Sequence, residues 1–170
     1  AENRVFLEVE GGTLAGELSV RPGRIGWREA AGWFGDTYLR STGQLYPRPG
    51  RPLALDIAVS GEPFAFSSVP VIAGLDFAGT GRLEGTLDGP ANDLEIRADL
   101  QAEEFAFMGF PLGSVDTDLR WHTHEPLSLR SFQALAGSTS YEGNVEIQFE
   151  GGVLLEAQAR GPAQAHGPAQ

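Results

Sequence analysis

The chain has no cysteine, and all 12 of its basic residues are arginine. Without cysteine, a disulfide framework and a thiolate zinc site are both excluded, and an oxidising compartment is permitted though not required. Without lysine there is no phosphate-binding P-loop. The glycines of Gly79-Thr80-Gly81-Arg82-Leu83-Glu84-Gly85 also lead into no helix. Positive charge is scarce: Asp and Glu number 23, for a formal net charge of −11. A surface of that sign repels phosphate backbones, which excludes nucleic acid as a partner, and it disfavours flat docking on an anionic bilayer. No apolar run is long enough to span a membrane, and no signal-peptide pattern opens the chain. There is no G-x-S-x-G elbow, and the three histidines fall in a polar row or in the last residues, so nucleophilic catalysis has no constellation to act through. The expectation is a non-enzymatic chain with no cofactor and no metal.

What the chain does have is alternation. Apolar residues make up 41% and charged residues 21%, with 23 Gly and 11 Pro spread along the length, which suits short strands separated by many turns. The stretch from Gly79 to Leu100 shows the pattern best. Leu83 and Leu87 alternate with Arg82, Glu84, Thr86 and Asp88, so apolar groups share one face. Asp88-Gly89-Pro90 reads as a stop, and Leu94, Ile96, Ala98 and Leu100 then resume the inward row against Glu95, Arg97, Asp99 and Gln101.

The same pattern recurs in Val5, Leu7 and Val9, and in Leu14 to Val20. It recurs again in Thr37 to Tyr46, with Gly43 as an expected bend or bulge, and in Leu53, Leu55, Ile57 and Val59. Ile25 to Phe34, broken by two Gly and two Trp, fits no simple period. Phe66 to Leu75 lacks period two; Ser68, Pro70 and Gly74 suit a single helical turn. Further on, Phe105 and Phe107 share a side and Met108-Gly109 turns. Val115, Thr117, Leu119 and Trp121 alternate, Leu127 and Leu129 follow Pro126, and Val145, Ile147 and Phe149 form a late inward row. At an offset of 100 residues Gly43, Leu45 and Leu55 match Gly143, Val145 and Leu155, which suggests about one and a half divergent repeats in a stacked module over 1–160. Residues 161–170 repeat Gly-Pro-Ala-Gln and read as a disordered tail or linker.

Each chemical motif has a plainer reading. His122-Thr123-His124-Glu125 spaces two histidines for one strand face, yet it continues the outward row of Asp116, Asp118 and Arg120, so a solvated edge outweighs a metal site. Asp116 with Asp118, and Glu103 with Glu104, lack the graded ligands of a calcium loop and read as solvated strand edges. The apolar stripe has two readings that periodicity leaves open: the sealed core of a structural sandwich, fibre or adhesin segment, or an open groove for an extended hydrophobic ligand.

The run Gly79-Thr80-Gly81-Arg82-Leu83-Glu84-Gly85-Thr86-Leu87-Asp88-Gly89-Pro90, continuing to Leu94-Glu95-Ile96, resembles the periplasmic repeats of TamB-type proteins in the wider AsmA-like group. Phe110 to Leu119 and Gly137 to Ile147 are similar to further segments of such repeats. The resemblance implies an all-β chain, an elongated, antiparallel-rich sheet curled into a taco-like groove, with at most one short helical turn near 66–75. It also implies a periplasmic segment of an inner-membrane-anchored parent whose partners are phospholipid acyl chains and an outer-membrane barrel of the TamA/BamA type. The expected role is phospholipid transport between the membranes, outer-membrane protein assembly, or both, with β-augmentation at strand edges serving assembly. Alternation then nominates the groove lining: Leu55, Ile57, Leu83, Leu87, Leu94, Ile96, Val115, Leu119, Trp121, Leu127, Leu129, Val145, Ile147 and Phe149.

Overall fold

A computed structural model describes residues 3–9, 12–68, 76–148 and 152–160. Eleven strands follow one another: β1 (Asn3–Val9), β2 (Gly12–Arg21), β3 (Arg24–Phe34), β4 (Thr37–Tyr46), β5 (Ala54–Ala65), β6 (Phe77–Pro90), β7 (Glu95–Phe107), β8 (Phe110–His122), β9 (Leu127–Ala136), β10 (Thr139–Gln148) and β11 (Gly152–Arg160). A three-residue 3-10 turn, Phe66–Ser68, follows β5, and no α-helix occurs among the described residues. Every strand pairs antiparallel with its sequence neighbours, in the order β1 to β11, and β1 does not return to β11. The protein is one open antiparallel meander.

Period-two alternation fixes which face each side chain takes, and the register lines those side chains up across strands. Gly43, Ile57, Leu87, Ile96 and Trp121 form one cross-strand row. Ser41, Val59, Gly85, Ala98, Leu119, Leu129 and Val145 form the next. Between these rows the opposite face carries Thr86, Arg97, Arg120 and Ser128, and beyond them Glu84, Asp99, Asp118 and Arg130. One face is thus apolar over many strands and the other charged.

Four strands break the period in the same way. Arg28-Glu29 separates Trp27 from Ala30 in β3, Glu62-Pro63 separates Gly61 from Phe64 in β5, Glu103-Glu104 separates Ala102 from Phe105 in β7, and Arg130-Ser131 separates Leu129 from Phe132 in β9. In each case three steps on one strand oppose two on its neighbour, the signature of a β-bulge. The extra residue restores the apolar phase on the far side. Glu29, Glu104 and Ser131 take positive φ of 49°, 51° and 52° there. Bulges bend the strands that carry them, and here they bend alternate strands around the apolar face.

Burial shows the result. A flat single layer would leave its apolar face wet, yet Phe66, Val115, Phe132 and Ile147 are all at most 4% exposed. No second sheet or α-helix among the described residues covers them, so the sheet curls over its own apolar side. The core is this concave face, a cluster from Phe64 and Phe66 through Leu100 and Phe105 to Val145 and Ile147. At the bulge ends of β5 to β7, Phe64, Phe66 and Phe105 meet edge to face with centroids 5.0 and 5.4 Å apart, a geometry aromatic rings favour.

The structure revises several local expectations. Ile25 to Phe34 is an ordinary strand whose irregularity is its bulge. Gly43 is not a bulge; it pairs with Trp27 and Ile57, and the extra residue lies in β3. Strand β6 does not stop at Asp88 but continues to Pro90, which pairs with Ala54 at the sheet's rim. Glu103 and Glu104 are not a strand edge but the bulge of β7. A helical turn is present at Phe66–Ser68, within the expected range; the rest of that range, like residues 161–170, lies outside the described residues. The two hairpins compared at an offset of 100 residues share a register: Gly43 faces Ile57 and Leu45 faces Leu55, as Gly143 faces Ala157 and Val145 faces Leu155.

Candidate functional site: an apolar groove

On the concave face lies a cavity of about 240 Å³. Its walls come from five consecutive strands, β5 to β9, with Phe66 of the 3-10 turn, and no polar atom is exposed on them. Of the residues nominated from alternation, Leu83, Leu87, Ile96, Val115, Leu119, Trp121, Leu127 and Leu129 line it. Val145 and Ile147 belong to the same buried cluster, 5% and 3% exposed, in the next strand. Leu55 and Ile57 lie further along the same face by register, opposite Leu45 and Gly43, without reaching the cavity. Leu94 is half-buried in the turn before β7, and Phe149 lies outside the described residues.

The structure also adds lining that those nominations omitted. Val59, Phe64, Phe66, Phe77, Ala98, Leu100 and Phe105 all face the cavity. Ala98 and Leu100 were readable as inward from their period; Phe64 and Phe66 were hidden by the phase slip at Glu62-Pro63, and Phe105 by the one at Glu103-Glu104. Glycine shapes the floor. The inward positions of β6 read Gly81, Leu83, Gly85, Leu87, and a Cβ at Gly85 would lie 2.5 Å from the Arg97 carbonyl oxygen. The stretch from Gly79 to Pro90 therefore supplies close strand approach at Gly85 and side chains at Leu83 and Leu87.

The convex face offers different chemistry. Two shallow depressions of about 800 and 810 Å³ lie there, lined by charged side chains that include Glu84, Asp99 and Arg120 in one and Arg82, Asp116 and Glu142 in the other. They are larger than the apolar cavity, but their mixed charges stay hydrated and cannot favour hydrocarbon. Exposed ion pairs Arg82–Glu84 at 2.7 Å and Arg97–Glu95 at 2.6 Å run along single strands, and such pairs contribute little. Asp99 faces Asp118 directly across β7 and β8. The Asp99 carboxyl is held above the usual carboxylate range, first by its hydrogen bond with Asp118, then by slight desolvation and the charges of Asp118, Glu84 and Asp116.

The two histidines do not share a strand face. His122 ends β8, with Nε2 3.1 Å from Asp93 Oδ1 and Nδ1 3.7 Å from Glu125 Oε1. His124 sits in the following turn at φ 79°. Among the described residues no three His, Asp or Glu side chains gather to hold a metal ion.

Comparisons with protein families, with characterised proteins and with solved structures return no match. The likeness to TamB-type repeats therefore rests on the sequence runs quoted above.

Proposed function

We propose that this chain shelters hydrocarbon, as a groove segment of a periplasmic bridge that carries phospholipid acyl chains between the two membranes of a diderm bacterium. The observation that carries the proposal is the cavity on the concave face: five strands of one open sheet surround a space on whose walls no polar atom is exposed. Each methylene moved there from water contributes about 0.8 kcal/mol without needing a directional partner. Chain-like ligands fit such a wall, and polar ones do not. The headgroup would stay outside, where water can solvate it. An anchored parent and an outer-membrane barrel of the TamA/BamA type are what the resemblance adds to this reading.

Photocrosslinking in cells tests it. A photoreactive side chain at Leu83 or Leu119 should give phospholipid adducts, and the neighbouring outward positions Arg82 and Arg120 should give none. Ala98→Phe, which puts a ring into the cavity from a wall residue 9% exposed, should leave the sheet folded and remove the adducts. Equal labelling of both faces, or lipid undiminished in Ala98→Phe, would refute the groove. A second reading, assembly of outer-membrane proteins, is favoured by the outer edges of β1 and β11, which pair with no described strand and could add a client strand. Protein adducts at those edges, with no lipid on the concave face, would select it.

A further inference from the structure

We infer that Trp27 is the stop that ends the hydrocarbon compartment and sets the length of chain it accepts, an inference that rests on the groove reading above. The apolar face continues beyond the cavity into β4, β3 and β2, yet the cavity itself ends at Val59 of β5. Beside Val59 and Ile57, the inward positions of β4 are Ser41 and Gly43. Two such small residues should leave a hollow into which the compartment would run. The Trp27 indole fills it. A Cβ placed on Gly43 would lie 2.6 Å from Trp27 Cζ2 and 3.0 Å from Cη2, so the ring rests directly on the glycine.

The ring is also pinned. Trp27 Nε1 donates to Ser41 Oγ at 3.0 Å, within a part-buried pair. That bond joins the ring to the strand next to the cavity, and it places a hydroxyl where an advancing chain would otherwise find carbon. Displacing the ring would strand both polar groups against hydrocarbon, which is unfavourable. Further along β3 the backbone is tightly held: Ala30 is 2% exposed, and a Cβ on Gly16 would sit 2.7 Å from the Ala30 Cα. Trp27 is thus both seated on Gly43 and pinned to Ser41. A ring covering a glycine purely to support the sheet would place no limit on ligand length, and this is where the two roles part.

The test offers the delipidated chain a homologous series of saturated fatty acids and measures affinity against chain length. In the wild type, affinity should rise with each methylene and then stop rising. Trp27→Ala should move that limit to longer chains, gaining about fourfold in affinity per methylene beyond it, the value for transfer of one methylene from water. Gly43→Ala should move it the other way, because the new methyl forces the ring off the glycine toward Val59. If Trp27→Ala does not fold, Trp27→Val carries the same expectation. An unchanged limit in the folded variants, even with lowered stability, would overturn the stop and leave the groove standing. A folded wild type that binds no chain of any length would overturn the groove itself.

Discussion

At the scale of single residues, the concave and convex faces obey opposite rules. On the concave side, removing volume or adding charge should hurt. On the convex side, charges are screened, and most substitutions should be nearly silent. Asp99 is the exception. Its folded-state pKa is raised, so between its ordinary value near 3.8 and that raised value the folded state binds more protons than the unfolded one. Stability from this group therefore falls as pH rises through that window, and the loss is complete above it. Asp99→Asn keeps a hydrogen bond to Asp118 and removes the repelling charge. The variant should be slightly more stable than wild type at neutral pH, by at most about 0.5 kcal/mol for so exposed a group. The difference should vanish as the pH falls well below 3.8, where the wild-type carboxyl is protonated in both states. Thermal melts of the two proteins across pH check this; an equal offset at every pH would contradict it.

At the scale of the strand, the bulges connect sequence to shape. Each appears in the sequence as two consecutive non-apolar residues interrupting an alternating row: Arg28-Glu29, Glu62-Pro63, Glu103-Glu104 and Arg130-Ser131. Alternation made the strands and their faces legible, since Leu83, Leu119 and Ile147 all turn inward as their period requires. It could not show where a strand bends, because a strict period of two assigns the pair after each slip to the wrong face. Ile25 to Phe34 was illegible for that reason, and so was the inward placement of Phe64. Whether the apolar stripe was core or groove was likewise beyond local pattern, because curvature arises from several strands bending together. The strain at a bulge gives a direct check. Ser131 holds φ 52° while its backbone N–H donates to Asn144 Oδ1 at 3.2 Å. Ser131→Gly retains that donor and relieves the left-handed conformation, which costs an ordinary residue roughly 1–2 kcal/mol, partly offset by the greater chain entropy of glycine. A gain of about 0.5–1 kcal/mol is expected, a rise in melting temperature of roughly 1–4 °C for a chain of this size. Asn144→Ala should lower it, having removed the acceptor.

At the scale of the molecule, the accessible surface carries the argument. The chain exposes 11475 Å² for a mass of 18.1 kDa, whereas a compact monomer of that mass exposes about 8,100 Å². An excess of this kind suits a sheet that, among the described residues, forms one layer and does not close on itself. The side chains of the concave face are buried, yet they leave a cavity of about 240 Å³ among them. Such a face should take up small hydrophobic probes while the protein remains folded. A dye such as anilinonaphthalene sulfonate should fluoresce with the native chain, and a competing fatty acid should quench the signal. The same fatty acid should stabilise the fold, because a ligand bound only by the folded state adds about 2.7 kcal/mol at a hundred times its dissociation constant. In a chain of this length that corresponds to a rise in melting temperature of roughly 5–11 °C. Ala98→Phe should melt no lower than wild type without ligand and lose most of that rise with it. A native chain that neither binds the dye nor responds to the fatty acid would mean the curled sheet seals its own apolar face, and the groove would be a core.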